Sequence, residues 1–173
     1  MDFAVVPASF GLKDMLVSSS MGQDRECLVC SLGQEFPTRD GQVVLKDLPP
    51  LQLVLPGKGN ARRHSIESYL AVNDIKVKEV LELDTMHGTL DLVARSNWVS
   101  ILPRILCLHD FDGTRRRVLP LNDPPLYVDY MRIETGSRPL NHAAQAFADV
   151  LQQELTAALE TPLIEPKKFA SLA

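Results

Sequence analysis

An α/β protein with a largely parallel sheet is what this sequence predicts, and three observations carry that expectation. Short unbroken apolar runs, such as Phe3 to Val6 and Leu51 to Leu55, have the length and pattern of strands covered on both faces. Apolar stripes at helical spacing, such as Ile66, Tyr69 and Leu70, lie between such runs. Proline, glycine and asparagine mark the joints, and strands alternating with helices favour parallel pairing with helices on the faces.

The elements follow in order. Phe3 to Val6 is a strand ended by Pro7. A buried parallel strand needs neighbours on both sides joined by crossover helices, so either the chain is a fragment or later segments supply every neighbour. Residues 8 to 24, rich in Ser and Gly, read as loop. Leu28 to Leu32 is a second strand, Pro37 to Gly41 a turn, and Leu51 to Leu55 a third strand. Pro56 to Asn60 forms a tight loop, with Asn60 suited to cap the helix that carries Ile66, Tyr69 and Leu70. Residues 77 to 83 read as a strand. Asp84 or Thr85 caps a helix with Met86, Leu90, Val93 and Ala94 on one face, and Asn97 suits the left-handed position that ends it. Val99 to Leu102 is a short strand stopped by Pro103, and Leu126 to Ile133 is a longer one after Pro124-Pro125. Asn141 caps a last helix whose face is Ala144, Phe147, Ala148, Leu151 and Leu155. The tail after Leu159, with Pro162 and Pro166, reads as frayed.

Composition narrows the function classes. With 173 residues, 45% hydrophobic and 23% charged, the chain has the make-up of an ordinary globular protein able to bury a full core. No run approaches the roughly 20 apolar residues of a membrane span, and the N-terminus lacks the basic start of a secretory signal, so a cytoplasmic setting is expected. A net charge of −4 with no large basic cluster argues against a chain that holds DNA by itself. Arg115-Arg116-Arg117, after the Asp112-Gly113 turn signal, reads as a solvated loop or strand edge. Cys27 and Cys30 form a C-x-x-C, but on a strand residues three apart face opposite sides, so the thiols diverge and read as buried structural cysteines. No second ligand pair has zinc spacing, so neither metal nor cofactor is expected.

Several blocks, in this order, resemble the effector-binding domain of LysR-type transcriptional regulators. Met1 to Val6 looks like the family's strand after a "G-x-L-D" helix end, and Leu48-Pro49-Pro50-Leu51-Gln52-Leu53-Val54-Leu55-Pro56 is similar to the strand entering the second lobe. Leu90 to Pro103 resembles "l-x-l-V-a-x-G-x-G-v-x-i-l-P", with Ser96 and Trp98 where the family carries glycines. Arg138 to Phe147 is similar to the start of the last helix.

The resemblance implies a periplasmic-binding-protein-like (type II) two-lobed fold with mostly parallel sheets and a partial first lobe. It divides the chain into an effector-binding domain over residues 1–158 and a flexible tail over 159–173. Residues 1–25 and 108–158 would form lobe one and residues 26–107 lobe two. It also implies a small-molecule effector between the lobes, and a homodimer or tetramer formed through the sensing domains of the parent protein. DNA would be reached only through a helix-turn-helix not visible here. That region, its linker helix and the opening of lobe one have no counterpart in the sequence, which leaves part of a pocket.

For the effector, a small carboxylate or aromatic acid is the expectation, because helix N-termini attract anions. Gly57, Lys58 and Gly59, leading to Arg62, form the first candidate: the glycines permit close backbone approach and an arginine can grip a carboxylate with two hydrogen bonds. The same residues also suit a plain strand-to-helix turn. Asp84, Thr85 and Met86 open the second helix and either face the cleft or only cap, with His87 exposed or capping. Trp98, next to the candidate Val99, occupies the loop where the family has glycine, so Trp98 forms either an effector wall or a cover for the core between the lobes. Pro7 and Ala8 would line the cleft from lobe one.

Catalytic residues are not expected. The four histidines have no metalloprotease spacing, and there is no G-x-S-x-G elbow, P-loop or G-x-G-x-x-G. His109 to Asp112 packs carboxylates near a histidine in what reads as a turn. The rival readings are a transporter's solute-binding protein and, on the same scaffold, a small hydrolase or dehydratase.

Overall fold

The computed structural model describes residues 2–8, 16–137 and 139–161. A seven-stranded sheet runs β1-β9-β2-β7-β5-β6, with β8 also pairing β2. Its strands are β1 (Phe3–Pro7), β2 (Leu16–Ser31), β5 (Leu51–Leu55), β6 (Val77–Glu82), β7 (Val99–Pro103), β8 (Arg116–Pro120) and β9 (Tyr127–Thr135). A small hairpin joins β3 (Thr38–Arg39) and β4 (Gln42–Val43). The helices are α1 (Ala61–Val72), α2 (Met86–Ala94) and α3 (His142–Glu160).

The α/β class is as expected, and β5 pairs in parallel with both β6 and β7. Where a mostly parallel sheet was expected, the sheet is mixed, because β2 pairs antiparallel with β7, β8 and β9. Antiparallel neighbours need no crossover helix, so one long strand can join both halves of the sheet.

Side-chain alternation along the strands sorts the core onto two faces. Leu28 and Cys30 of β2, Leu53 and Leu55 of β5, and Val99 and Ile101 of β7 meet Ile66, Tyr69 and Leu70 of α1 on one face. Val29, Val54 and Leu102 meet Val93 of α2 and Cys107 on the other. Cys27, Cys30 and Cys107 are all buried and free, and Cys27 and Cys30 stand an odd number of positions apart, as expected. Burial pushes the Cys30 thiol up to about 11 and the Cys107 thiol up to about 12.

Three sequence expectations need correction. Residues 16–24 are strand, not loop: serines give little β-propensity, but pairing with β9 from Leu16↔Thr135 to Arg25↔Tyr127 supplies the hydrogen bonds. A bulge between Ser20 and Gly22 interrupts that pairing; Gly22 holds φ 147°, a backbone conformation that L side chains rarely adopt, with the end of the Leu159 side chain of α3 packed over it. The loop expectation for residues 9–15 lies outside the described residues. Next, β1 is an antiparallel edge strand with Val5 39% exposed, rather than an interior strand, and β9 is its neighbour. Finally, α2 does not end on a left-handed Asn97: the Ser96 hydroxyl donates to Leu92 O at 2.6 Å and accepts Trp98 N–H, closing the turn with a side chain.

The last helix carries its expected stripe in part. Ala148 is fully buried, but Phe147 is 62% exposed and touches only the edge, its ring 5.9 Å from that of Phe3. The helix continues through Glu160, so residues 159 and 160 are helical; residues 162–173 of the expected tail, with Pro162 and Pro166, lie outside the described residues, as does Arg138. Arg104, 6% exposed, holds the helix end by donating to the carbonyls of Ala158 and Leu159, each at 2.6 Å, and of Thr161. Its counter-charge is the buried Asp24 at 3.6 Å. No helix among the described residues is long and apolar enough to cross a membrane.

Candidate functional site

The parallel strands β5 and β7 end beside the starts of α1 and α2, so backbone N–H groups and two small cavities gather there. Both cavities touch Arg62. The first, about 160 Å³, lies between Arg62, Glu26, Ser65, Tyr127, Asp129 and the Pro7-Ala8 end of β1. The second, about 110 Å³, lies between Arg62, Asn60, Asp84, Thr85, Thr89 and Ser100. Each is below the range of roughly 300 Å³ upward that holds drug-sized ligands.

The cap that starts α1 positions Arg62. Asn60 accepts the Arg62 N–H at 2.9 Å, as its place before the helix predicts. From there the guanidinium reaches β2. Nε and Nη2 donate to Glu26 at 3.0 to 3.3 Å, and Nη2 also donates to Ile101 O at 3.2 Å. Glu26 sits where β2 changes partners: its N–H donates to Leu126 O at 2.9 Å and its carbonyl accepts Leu121 N–H at 3.1 Å. The Glu26 side chain is only 4% exposed, and burial raises its pKa although Arg62 opposes the shift. Tyr130 is pushed up as well, by burial and then by Asp24 and Glu26.

The α2 end is built differently from expectation. Thr85 is the N-cap residue, yet its side chain makes no cap bond. Asp84 does not cap α2. Its Oδ1 accepts Gly57 N–H at 2.8 Å and ties the β5–α1 loop to the β6–α2 loop. A Cβ at Gly57 would stand 3.1 Å from Asp84 Oδ2, so this glycine serves packing against Asp84. A side chain at Gly59 would meet nothing within 4 Å of its Cβ. Arg63 steadies the same loop from a buried position, donating to Pro56 O at 2.8 Å and pairing with Glu67 and Glu82.

Comparison with known proteins gives one family. The model of the LysR substrate binding domain matches residues 1–156. The chain belongs to the LysR substrate-binding domain family. No curated sequence matches it significantly. Solved structures similar to it include the CcmR regulatory domain of Synechocystis in complex with 2-PG. Its TM-score is 0.72 and its identity 14%, over 92% of this chain and 74% of that one. The BenM effector binding domain with its effector benzoate gives a TM-score of 0.71 and 15% identity over 94% and 73% of the chains. The regulatory domain of MetR from N. meningitidis gives 0.71 and 11% over 92% and 72%. At these identities the likeness shows a shared fold.

Within this LysR domain, the expected site residues separate. Pro7, Ala8 and Arg62 meet at the first cavity, and Arg62, Asp84, Thr85 and Met86 at the second. Lys58 is exposed and, with Gly57 and Gly59, lines neither. Val99, 1% exposed, belongs to the core, and Trp98 packs, partly buried, against the α2-side cluster and lines neither cavity. Both follow from β7 starting at Val99, inside the sheet. Arg116 is not a solvated charge: it pairs with the buried Asp110 at 2.6 Å, because residues 109 and 110 end a 3-10 helix, Arg104–Asp110, packed on β8, with the expected turn following at 111–112.

Sequence reasoning missed Glu26, Ser65, Thr89, Ser100 and Asp129. Glu26 left one signal, a carboxylate opening the apolar run Cys27 to Cys30, since a buried charge needs a partner. The others are common polar residues on regular elements, with nothing in their local pattern to single them out. Among the described residues, no group of three His, Cys, Asp or Glu side chains could hold a metal ion.

Proposed function

We propose that this chain is the effector-sensing domain of a LysR-type transcriptional regulator, and that a small molecule binds around Arg62. The lobes would be residues 1–25 with 108–158, and residues 26–107. The observation that carries the reading is the pair of cavities sharing Arg62, placed where β2 leaves β9 for β7 and β8. BenM's domain takes benzoate and CcmR's takes 2-PG, which supports a small-molecule role for the same fold here.

On this reading there is no catalysis. The effector shifts an equilibrium between arrangements of the two lobes or of paired subunits, and does so only by its differential affinity for them. DNA contact and assembly into dimers or tetramers then belong to the parent regulator.

Thermal melts with a broad library of small metabolites test it, because selective binding to the native state raises the midpoint. A responding compound should lose its effect in Ser65→Trp or Thr89→Trp, which fill one cavity each. A response untouched by both substitutions moves the site elsewhere; no response across the library sinks the reading.

A further inference from the structure

The polar lining of the first cavity is unbalanced toward negative charge. Glu26 and Asp129 supply two carboxylates against one guanidinium, Arg62. That guanidinium is already engaged with Glu26 and with the Ile101 carbonyl. Asp129 differs. Its Oδ1 accepts Gln23 Nε2 at 2.8 Å, and no cation pairs with it among the described residues. Tyr127, two positions before it on the same face of β9, also lines the cavity, and an aromatic face attracts cations.

A simple carboxylic acid meets two obstacles in this cavity. To take Arg62 for itself, it must displace Glu26, leaving a carboxylate only 4% exposed without its cation. To sit beside the intact pair, it must approach Asp129 as a like charge. A ligand bearing an ammonium group meets neither obstacle, because Asp129 Oδ2 is open to accept from it.

We propose that the ligand of this cavity carries an ammonium group, bound by the Asp129 carboxylate against the Tyr127 ring, and that acids lacking an amine are turned away. The proposal rests on the effector-sensing reading and narrows it: the aromatic or aliphatic acid expected from the sequence is replaced by an amine or an amino acid. Glu26 then acts as an internal competitor that keeps Arg62 from recruiting anions.

The test is calorimetric titration of the full 173-residue chain with putrescine, L-lysine and adipate, repeated on Asp129→Asn. Asp129 is exposed, so this substitution leaves the core untouched. Putrescine or L-lysine should bind and adipate should not, and Asp129→Asn should weaken amine binding about fivefold, as loss of an exposed ion pair does. Adipate binding with no amine binding overturns the ammonium assignment while leaving a small-molecule site in place. Amine binding unchanged in Asp129→Asn overturns it too. Silence from all three probes overturns it for this cavity, and only the library melts then bear on the effector reading.

Discussion

Replacing Arg62 with alanine should destabilise the domain, and by an amount that depends on pH. The substitution leaves Glu26 buried at 4% exposure with no cation among the described residues. The carboxyl then takes up a proton when staying charged costs more. Protonating it at about pH 7, against an ordinary value of 4.5, costs about 1.4 kcal/mol per pH unit, so the ceiling is about 3.4 kcal/mol. Water entering the space left by the guanidinium lowers this, while the lost bond to Ile101 O adds about 1 kcal/mol, so about 2–4 kcal/mol is expected. The sign follows from linkage. A carboxyl whose folded pKa lies above its unfolded one contributes stability below the unfolded value and loses it as pH rises through the folded value. Burial already raises Glu26 in the wild type, and removing Arg62 raises it further, so the gap between the proteins widens as pH rises above the wild-type carboxyl's own raised value. Urea unfolding followed by circular dichroism at about pH 5 and pH 7 measures it. Adding Glu26→Gln to the alanine variant should remove most of the pH dependence. A loss under about 1 kcal/mol, equal at both pH values, would refute the claim that Glu26 is held in place by Arg62.

Three further outcomes follow from neighbouring contacts. Asn60→Ala removes the cap on the Arg62 N–H and should cost about 1 kcal/mol in the same unfolding assay. Cys27, Cys30 and Cys107 are fully buried and their thiols are shifted up, so a thiol reagent should label none of them until the chain unfolds. Labelling of the native protein at the rate of an exposed thiol would contradict that burial. Arg104→Met should speed amide exchange in the last turn of α3 by about tenfold or more, since three carbonyls there lose their donor and Asp24 its counter-charge. An unchanged exchange pattern would show that the helix end is held without Arg104.

Short-range patterning made much of the fold legible in advance. The strands Leu51–Leu55 and Val99–Pro103, the stripe of α1, and the caps at Asn60 and Asn141 depend on residues within a turn or two of one another. So did the divergence of Cys27 and Cys30, which needs only strand alternation. The family resemblance was readable for the same reason: its blocks are local runs in a fixed order.

What stayed hidden depends on residues far apart in the chain. Residues 16–24 lack the composition of a strand and become one because β9, more than a hundred positions later, pairs with them. Glu26 and Arg62 lie 36 positions apart, and Asp24 accepts from Ile105 across 81. The candidate site shows the same division. Arg62 was visible as a cation at a helix start, but its occupation by Glu26 was not, nor was the conversion of Asp84 from a helix cap into a tie on Gly57. Helix starts, stripes and alternation are set by backbone geometry over a few residues. The sharing of charges and hydrogen bonds is set by which elements meet, and that is decided by burying all the apolar faces at once.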